Sequence, residues 1–567
     1  MIDQKLDQKQ TKYIFVTGGV VSGLGKGITA ASIGLILKSN HKTVDAIKFD
    51  PYLNVDPGTM SPFEHGEVFV LGDGSECDLD LGHYERFLDT NLTSISSVTA
   101  GKIYSQILEK ERRGDFLGKN VQLIPHITNH IKDCFVRNRD NINIRIIEIG
   151  GSAGDMEGEI FLEAIRQFKQ QFKQNNKDSV LHIHLGYVPF LGCSGEYKTK
   201  PFQNSLRELQ RTGLQPDVLV ARYELHNETG LEQEQLDKLA LFGNVEPNCV
   251  VPVPDLDSIY AVPNHFYKSG MMTRLSQFVE TDLNQPLPEF FIKEGKVNND
   301  KKIKIAVVGK YGSKLGDADY SVMQSLQIAG FYGECKVEPV IIAADKLFDK
   351  DTESWDLLTQ ADGVLVLGGF GKRGMEGKIL AIEHARINKK PFMGICLGLQ
   401  MAVVEFARNV CGLEAISAEM LDDNNLEKEL NNKSVVIDFM KGQQNIQKKG
   451  GTMRLGNYTC DLESGSLASQ LFGISQITER HRHRLEVQTK YLDLLQSKGM
   501  LVTGRFNYKD ESGQEKFLPE IIELDRDIHP YFIATQSHPE MLSRPTKPHP
   551  MFLGLVQNCI KTQGKTL

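Results

Sequence analysis

One cysteine of the sequence stands where nucleophilic chemistry is possible. The segment Gly394–Gly398, with Cys396 at its centre, follows the apolar run Pro391–Ile395. Glycines permit a sharp strand-to-helix turn that exposes the sulfur, and a following helix N-terminus favours a thiolate and an oxyanion. Far downstream, His538 can accept the thiol proton and Glu540 can orient the imidazole. A lone cysteine is usually a buried apolar residue, but these three residues in this order predict a Cys–His–Glu hydrolase.

Candidate oxyanion-hole donors follow a second apolar run. The glycine-rich segment Gly368–Gly371 comes just after the predicted strand Gly363–Val366. Backbone N–H groups at such a strand end can stabilise negative charge that develops on a carbonyl oxygen. They complete the predicted hydrolase site.

A different chemistry is indicated near the N-terminus. The glycine-rich segment Gly18–Gly27 follows the predicted strand Tyr13–Thr17 and opens a predicted helix. Glycines let the backbone approach phosphate oxygens, the helix N-terminus presents unpaired N–H groups, and Lys26 adds positive charge. The spacing differs from the ordinary P-loop, because Gly27 stands where Ser or Thr usually binds Mg²⁺. We predict a nucleotide site; the alternative is a glycine-rich turn before a helix.

Carboxylates must then hold the metal that Gly27 cannot hold. The candidates are Asp80, in an acidic stretch, and Glu148, at the end of an apolar strand where such sheets bind ligands. Asp80 alone could be a solvated loop acid, whereas a charge in a buried strand is costly unless it is used. The segment Lys198–Pro201 suits a triphosphate clamp or is an ordinary basic loop, and Lys48 lies near the same sheet edge.

Strands and helices alternate along both halves of the chain, which predicts two doubly wound α/β domains with parallel sheets. The polar, proline-containing stretch 284–302 is the predicted linker between domains 1–283 and 303–567. Leu421–Lys433 is predicted to be an exposed loop. Three predicted strands are Tyr13–Thr17, Gly363–Val366 and Pro391–Ile395. The other predicted strands are Ile142–Ile149, Val180–Leu185, Val218–Val220, Lys304–Val308, Ile521–Leu524 and Tyr531–Thr535.

Composition excludes several classes of protein. The 567 residues carry a net charge of −8, which argues against general binding of nucleic acid or anionic membranes. The nine cysteines form no C-x-x-C pair or zinc spacing, which favours a reducing, cytoplasmic setting. We see no secretory signal in the polar N-terminus and no apolar run of about 20 residues.

With these residues in view, the chain closely resembles the CTP synthase family, from Tyr13 to about Gly554. Its C-terminal half separately resembles class I glutamine amidotransferase domains. The segments that carry the resemblance are Val16–Gly27, Lys48–Gly58, His65–Phe69, Asp78–Phe87, Glu111–Asp115, Pro125–Thr128, Lys198–Pro201, Gly450–Arg454 and Glu479–Glu486.

The resemblance implies a role for each site residue. The N-terminal, P-loop-like (Rossmann-like) domain would be the synthetase and the C-terminal domain the glutaminase, with the triad Cys396, His538 and Glu540. ATP would be bound by Gly23, Leu24, Gly25, Lys26, Gly27, Ile28, Asp80 and Asp255, and Mg²⁺ by Asp80 and Glu148. UTP or the product CTP would be bound by Ser22, Asp155, Met156, Glu157, Lys198, Thr199, Lys200, Pro201, Phe202, Gln203 and Lys238. Glutamine would be bound by Gly369, Leu397, Gly398, Leu399, Gln400, Glu419 and Arg484.

The resemblance also implies a mechanism and its regulation. ATP would phosphorylate the C4 oxygen of UTP, Cys396 would release ammonia from glutamine, and the ammonia would cross an internal channel to displace phosphate. A homotetramer, activation by GTP and feedback inhibition by CTP are implied as well. The family is prone to form filaments, and the sequence leaves open whether this chain does.

The sequence differs from the family pattern at four places, none of which removes a catalytic group. Gly151–Gly158 is altered, which puts the strength of CTP inhibition in question, and Leu367 replaces a usual proline before the oxyanion glycines. Pro254 stands where a basic residue is expected beside Asp255, and Ser417–Met420 is altered around its retained acid. Two rival readings remain: a glutamine-dependent amidoligase with another acceptor, and an ATP-binding switch with an inactive glutaminase-like domain.

Overall fold

The computed structural model describes residues 11–61, 65–137, 141–175, 179–226, 230–297, 301–310, 319–421, 433–440, 443 and 451–564. They fall into two compact units. The first comprises Met1–Pro57 and Asp78–Gly295, and the second comprises Gly58–Cys77 and Lys296–Leu567. Most of the predicted loop Leu421–Lys433, and Gly450, lie outside the described residues.

A parallel sheet forms the centre of the first unit. Its seven described strands are β1 (Lys12–Gly18), β2 (Val44–Asp50), β3 (Ser97–Thr99), β4 (Ile144–Ile149), β5 (Val180–Tyr187), β6 (Val218–Tyr223) and β7 (Val250–Pro254). Their order across the sheet is β7-β6-β5-β1-β4-β2-β3, with every pair parallel. Thus β1 lies in the middle, and the carboxyl ends of β1, β2 and β4 meet at one edge. The prediction of a parallel α/β sheet is confirmed.

Helices connect these parallel strands, since parallel neighbours need a crossover. The helices described in this unit are α1 (Lys26–Ser39), α2 (Leu79–Leu88), α3 (Ala100–Arg112), α4 (Thr128–Phe135), α5 (Glu159–Asn175), α6 (Lys200–Arg211), α7 (Gln233–Gly243), α8 (Val262–Tyr267), α9 (Met271–Val279) and α10 (Glu289–Ile292). Apolar residues fill the space between helices and sheet; one cluster joins Phe15, Phe49 and Ile147 to Phe135, Phe161 and Phe168.

The second unit is built on a mixed sheet of nine described strands. They are β8 (Lys302–Gly309), β9 (Lys336–Ala343), β10 (Gly363–Val366), β11 (Phe392–Ile395), β12 (Arg454–Leu462), β13 (Gln476–His483), β14 (Met500–Lys509), β15 (Glu515–Leu524) and β16 (Phe532–Thr535). The order is β9-β8-β10-β11-β16-β15-β14-β12-β13. The first five strands in this order are parallel, and the others continue antiparallel. The sequence did not separate these two parts; the short connection between β15 and β16 permits only antiparallel pairing.

Apolar residues alternate between the two faces of this sheet. Val308, Val364 and Phe392 belong to one buried cluster, whereas their chain neighbours Val307, Leu365 and Met393 belong to another. Burial on both faces is what a doubly wound sheet requires. The helices described here are α11 (Tyr320–Tyr332), α12 (Ala344–Phe348), α13 (Thr352–Gln360), α14 (Met375–Ile387), α15 (Leu397–Asn409), α16 (Leu467–Phe472), α17 (Leu492–Ser497) and α18 (Pro550–Thr562).

Smaller elements complete the two units. A short hairpin, Phe69–Val70 paired with Glu76–Cys77, belongs to the second unit although it lies early in the sequence. No helix among the described residues combines the length and apolar character needed to cross a bilayer.

Candidate active sites

The predicted phosphate loop joins β1 to α1 in the first unit. Gly23 and Gly25 have positive φ angles of 72° and 88°, and Gly25 lies directly before the first residue of α1, Lys26. Glycine adopts this backbone conformation at little cost, so the loop can leave the helix N–H groups open to an anion. The Lys26 ammonium donates to the Gly151 carbonyl, Leu24 is buried, and Ile28 is half-buried.

Lys48 lies among four carboxylates at the same sheet edge. Its Nζ atom contacts Asp80 directly and lies 3.5 Å from Asp50 Oδ1, 3.7 Å from Asp78 Oδ2 and 3.7 Å from Glu148 Oε1. Lys48 and Glu148 are register partners on β2 and β4, so their side chains leave the sheet on the same face. Parallel pairing thus brings together residues that are 100 positions apart.

The carboxylates outnumber the ammonium groups at this site. Burial raises the pKa of Glu148 to about 7 and that of Asp50 to about 8, and neighbouring carboxylates add to both shifts. Burial alone would lower the pKa of Lys48, but the four carboxylates hold it well above its ordinary value. Burial would raise the Asp80 pKa, yet Lys48 lowers it. Such an excess of buried negative charge fits a divalent cation with oxygen ligands.

The space beside Gly27 is taken by Asp80. A side-chain carbon on Gly27 would lie 1.9 Å from Asp80 Oδ1. The position where an ordinary P-loop carries its metal-binding hydroxyl is therefore filled by a carboxylate. Among the described residues, no group of three or more His, Cys, Asp or Glu side chains is arranged to hold a metal. Mg²⁺ bound with nucleotide phosphates commonly uses only one or two carboxylates.

Helix α6 and the loop after β4 border the phosphate loop. A carbon added to Gly19 would meet Ser205 Oγ of α6 at 1.8 Å, and the Ala153 N–H donates to the Gly18 carbonyl at 2.8 Å. These close contacts place α6 and the loop after β4, which carry or adjoin the predicted segments 198–203 and 155–157, beside the phosphate loop.

The predicted UTP or CTP residues divide into exposed and buried groups. Thr199 and Gln203 are buried and joined by a 2.9 Å hydrogen bond, and the Phe202 ring is buried against Gly186. Lys198 is half-buried and pairs with Glu196, and Pro201 is half-buried. The exposed members are Ser22, Asp155, Met156, Glu157, Lys200 and Lys238.

Asp255, predicted to contact ATP, is exposed after β7. Its Oδ1 atom accepts from Arg222 Nη2 at 2.5 Å, and Arg222 Nη1 also lies 3.3 Å from the Pro254 carbonyl oxygen. A cation from the neighbouring strand β6 thus stands beside Asp255, where the sequence has Pro254 instead of a basic residue.

In the second unit, Cys396 occupies a strained turn between β11 and α15. Its φ and ψ angles are 52° and −103°, and its N–H donates to the Thr535 carbonyl at 2.7 Å. A carbon on Gly398 would lie 2.3 Å from the Val366 carbonyl oxygen, so this turn requires glycine there. The strained position is the one expected of a nucleophile elbow.

His538 follows the adjacent strand β16. Its Nδ1 atom lies 2.7 Å from Glu540 Oε1. Burial alone would lower the His538 pKa, but Glu540 and the Cys396 sulfur raise it to about 10. Both are hydrogen-bond partners of the imidazole, which can hold a proton between nucleophile and carboxylate.

The glycines after β10 border the sulfur. A carbon on Gly368 would lie 3.2 Å from His538 Cε1 and 3.6 Å from Cys396 Cβ, and Gly369 has a φ of 139°, which favours glycine. The Gly371 N–H donates to Glu419 Oε1 at 2.5 Å. Burial raises the pKa of Glu419.

Comparison with known proteins decides between the rival readings. Residues 12–281 match the family described as CTP synthase N-terminus, and residues 317–558 match glutamine amidotransferase class-I. The CTP synthase of Caldanaerobacter subterraneus subsp. tengcongensis is 49% identical over 554 residues, covering 96% of this chain and 98% of that protein. The CTP synthase of Methanocaldococcus jannaschii is 47% identical over 561 residues, covering 97% and 98%.

The chain belongs to the CTP synthase family. It is a glutamine-hydrolysing ligase that converts UTP to CTP, in a family that uses ATP. A glutaminase domain of Trypanosoma brucei CTP synthase with bound acivicin is a structural neighbour, 30% identical with a TM-score of 0.41, covering 47% of this chain and 95% of that domain. The readings as another amidoligase or an inactive switch are wrong.

The residues of this chain that are predicted to bind glutamine differ in what they offer a ligand. Leu397 and Leu399 are buried in the core, so only their backbone can face a ligand, and Gln400 donates to Leu485 O at 3.1 Å and lies 3.2 Å from Gln536 Oε1. Arg484 donates to Gln443 Oε1 at 2.7 Å and Thr452 Oγ1 at 2.9 Å.

Several residues at the two candidate sites are not indicated by the sequence analysis. Gln536 Nε2 lies 3.6 Å from Cys396 Sγ and donates to it, and Tyr84 donates to Glu148. Asp50 and Asp78 face Lys48. Spacing could have indicated two of them, because Asp50 lies two residues after Lys48 on a strand and Tyr84 lies one helical turn after Asp80.

Proposed function

We propose that the first unit aminates UTP at the edge formed by β1, β2 and β4, and that the second unit makes the ammonia at Cys396. The association of Cys396, His538 and Glu540 at the ends of two adjacent strands supports this most strongly. The proposed division of labour follows the predicted domains 1–283 and 303–567, with 284–302 as the linker between them.

In the proposed glutaminase step, the Cys396 sulfur attacks the amide carbon of glutamine. The N–H groups of Gly369 and of Leu397, the residue after the nucleophile, stabilise the oxyanion. His538 holds the proton that the departing ammonia needs, and Glu540 fixes the orientation of its ring. Water then hydrolyses the thioester. Glu419 and Arg484 line the glutamine site in this proposal, with Glu419 facing the positively charged α-amino group.

In the proposed ligase step, the phosphate loop and Lys26 hold the ATP phosphates. Asp80 and Glu148 would hold Mg²⁺, which supplies neutralisation of phosphate charge when it is bound. Asp255 lies at the adenine end, and the segments 155–157 and 198–203 with Ser22 and Lys238 contact UTP. ATP phosphorylates the C4 oxygen of UTP, and ammonia then displaces the phosphate.

We extend the proposal to assembly and regulation. The segment 114–127 exposes three large apolar side chains, Leu117 (88%), Leu123 (55%) and Ile124 (52%), which supports self-association into the homotetramer of the family. GTP activation and CTP inhibition are proposed from the family resemblance. None of the nine cysteines, all of which lie among the described residues, forms a disulfide, which supports a cytoplasmic location.

CTP formation, followed by its absorbance change with ATP, UTP, Mg²⁺ and either glutamine or ammonium, tests the proposal. Wild type should use both donors. Cys396→Ala should use ammonium alone, because it lacks only the nucleophile, and Cys411→Ala should behave like wild type. Glutamine use by Cys396→Ala would refute the assignment of the nucleophile, and absence of CTP with both donors from folded wild type would refute the assignment of the acceptor.

A further inference from the structure

Two buried lysines hold the glycine segment that borders the catalytic sulfur. The Nζ atom of Lys378, in the first turn of α14, donates to the Leu367 carbonyl at 2.6 Å and the Gly368 carbonyl at 2.8 Å. Lys310, after β8, donates to the carbonyls of Phe370 and Gly371. Lys378 is fully buried and Lys310 is 4% exposed.

A buried ammonium group is costly to maintain. Burial, with a contribution from Lys310, lowers the pKa of Lys378 to about 7. The charged groups that face Lys378 are Lys310, Asp319, Glu419 and the Cys396 sulfur. An apolar side chain of similar length could fill the same space. The presence of a lysine here, with hydrogen bonds to two carbonyls, therefore needs an explanation.

Peptide geometry connects these contacts to the site. In a trans peptide unit, the C=O and the N–H of the next residue point in opposite directions. The Gly368 carbonyl is fixed by Lys378, so the Gly369 N–H must point away from Lys378. The other end of the segment shows the same relationship, because Lys310 holds the Phe370 carbonyl while the Gly371 N–H donates to Glu419.

We propose that Lys378 is a positioning residue for the oxyanion hole, which fixes the peptide between Gly368 and Gly369 so that the Gly369 N–H faces the tetrahedral intermediate. This inference rests on the proposed glutaminase function. Rotation of that peptide would exchange a donor for a carbonyl oxygen beside a developing negative charge. Preorganised donors of this kind act in the transition state, so their loss lowers kcat more than it raises KM.

The test compares Lys378→Met with Lys390→Met. Lys390 makes the same kind of contact, to the carbonyls of Thr359 at 2.9 Å and Ala361 at 2.5 Å, but it lies after α14, away from Cys396. Each full-length variant is assayed for glutamine hydrolysis, for ammonium-dependent CTP formation and for alkylation of Cys396 by iodoacetamide, followed by mass spectrometry of the peptide that contains it.

Lys378→Met should lower kcat for glutamine by about 10- to 100-fold and leave KM near the wild-type value, because an oxyanion donor is misplaced. Ammonium-dependent synthesis should stay unchanged, because it does not use the oxyanion hole. The alkylation rate should change by much less than kcat, because alkylation depends on the thiolate that Lys378 faces but not on the oxyanion hole. Lys390→Met should keep wild-type kcat. An unchanged kcat in Lys378→Met, or alkylation that falls in parallel with kcat, would overturn the proposal.

Two further variants keep the test decisive. If Lys378→Met does not fold, Lys378→Gln retains a donor and should keep part of kcat; a Lys378→Gln variant with no loss of kcat would also count against the proposal. Glutamine hydrolysis by Cys396→Ala would instead refute the underlying function, independently of Lys378.

Discussion

A side-chain carbon on Gly27 would lie 1.9 Å from the Oδ1 atom of Asp80. The phosphate loop therefore lacks a hydroxyl at this position because a carboxylate on α2 already fills the space. Asp80 also contacts Lys48, so its position is fixed from two sides. The absence of a P-loop Ser or Thr and the presence of Asp80 are two aspects of one steric arrangement, at the site proposed for Mg²⁺.

Gly27→Ser should therefore impair the ligase rather than restore a P-loop. The new side chain must displace Asp80, a proposed Mg²⁺ ligand, and disturbance even of a group that only orients such a ligand typically costs about 10- to 100-fold in activity. We expect CTP formation to fall by that amount with glutamine or ammonium, while glutamine hydrolysis is retained. Gly192→Ser, where an added carbon meets nothing within 4 Å, is the control. Wild-type CTP formation in Gly27→Ser would contradict the expectation.

The pairing of His538 with Glu540 predicts that the stability of the fold depends on pH. The folded pKa of about 10 lies above the ordinary value of 6.5, so the protonated imidazole stabilises the folded state fully below about pH 6.5. That contribution is lost as the pH rises towards about 10. The midpoint of thermal unfolding should be higher for wild type than for His538→Asn at pH 6, and the difference should shrink by pH 10. A difference that stays constant across this range would show that His538 does not titrate there.

Much of the fold follows from the sequence because strand burial and glycine turns are local signals. Tyr13–Thr17 and Gly363–Val366 were predicted from apolar runs and are strands. Cys396 and His538 follow adjacent parallel strands, so their association could be inferred from the rule that carboxyl ends meet at one edge. The antiparallel continuation of the second sheet was not predicted, because apolar runs do not reveal the direction of pairing.

The remaining site residues depend on tertiary packing. Gln536 reaches the Cys396 sulfur only because β11 and β16 are neighbours, and a glutamine in a polar tetrapeptide gives no such signal. Lys378 lies in an ordinary helical pattern, and its two carbonyl partners are set by where α14 meets the end of β10. Glu76 precedes the acidic stretch at Asp78 in sequence, yet it packs within the second unit.

Glu419 should matter for glutamine binding more than for the ligase. Its carboxyl accepts from the Gly371 N–H and faces Lys310, so it is held in place while one oxygen can still meet an ammonium group. Glu419→Gln removes the charge, and the loss of a charged hydrogen bond of about 1.5–3 kcal/mol would raise KM for glutamine by about 10- to 100-fold. Steady-state glutaminase assays measure this. Ammonium-dependent CTP formation is the control and should not change.

Glu76 forms a buried ion pair with Arg482 that reaches the glutaminase site. Glu76 Oε1 lies 2.8 Å from Arg482 Nε, and the Glu76 side chain is 1% exposed. The Arg482 guanidinium lies 5.0 Å from the Phe370 ring centroid, and its backbone carbonyl is 3.8 Å from Cys396 Sγ. The ion pair therefore supports both the backbone beside the nucleophile and the glycine segment beside it.

Glu76→Ala should destabilise the second unit by up to about 3–5 kcal/mol, because it removes the partner of a guanidinium whose side chain is only 16% exposed. It should also lower kcat for glutamine hydrolysis, since the loosened Arg482 no longer supports Phe370. Glu338→Ala, which removes the half-buried partner of the exposed Lys302 at 3.2 Å, is the control and should cost no more than about 1 kcal/mol. Thermal unfolding of Glu76→Ala, Arg482→Met and the double variant gives the coupling free energy between Glu76 and Arg482. The double variant should be less destabilised than the sum of the single variants, because neither charge is left alone; strict additivity would mean that the two residues do not act as a pair.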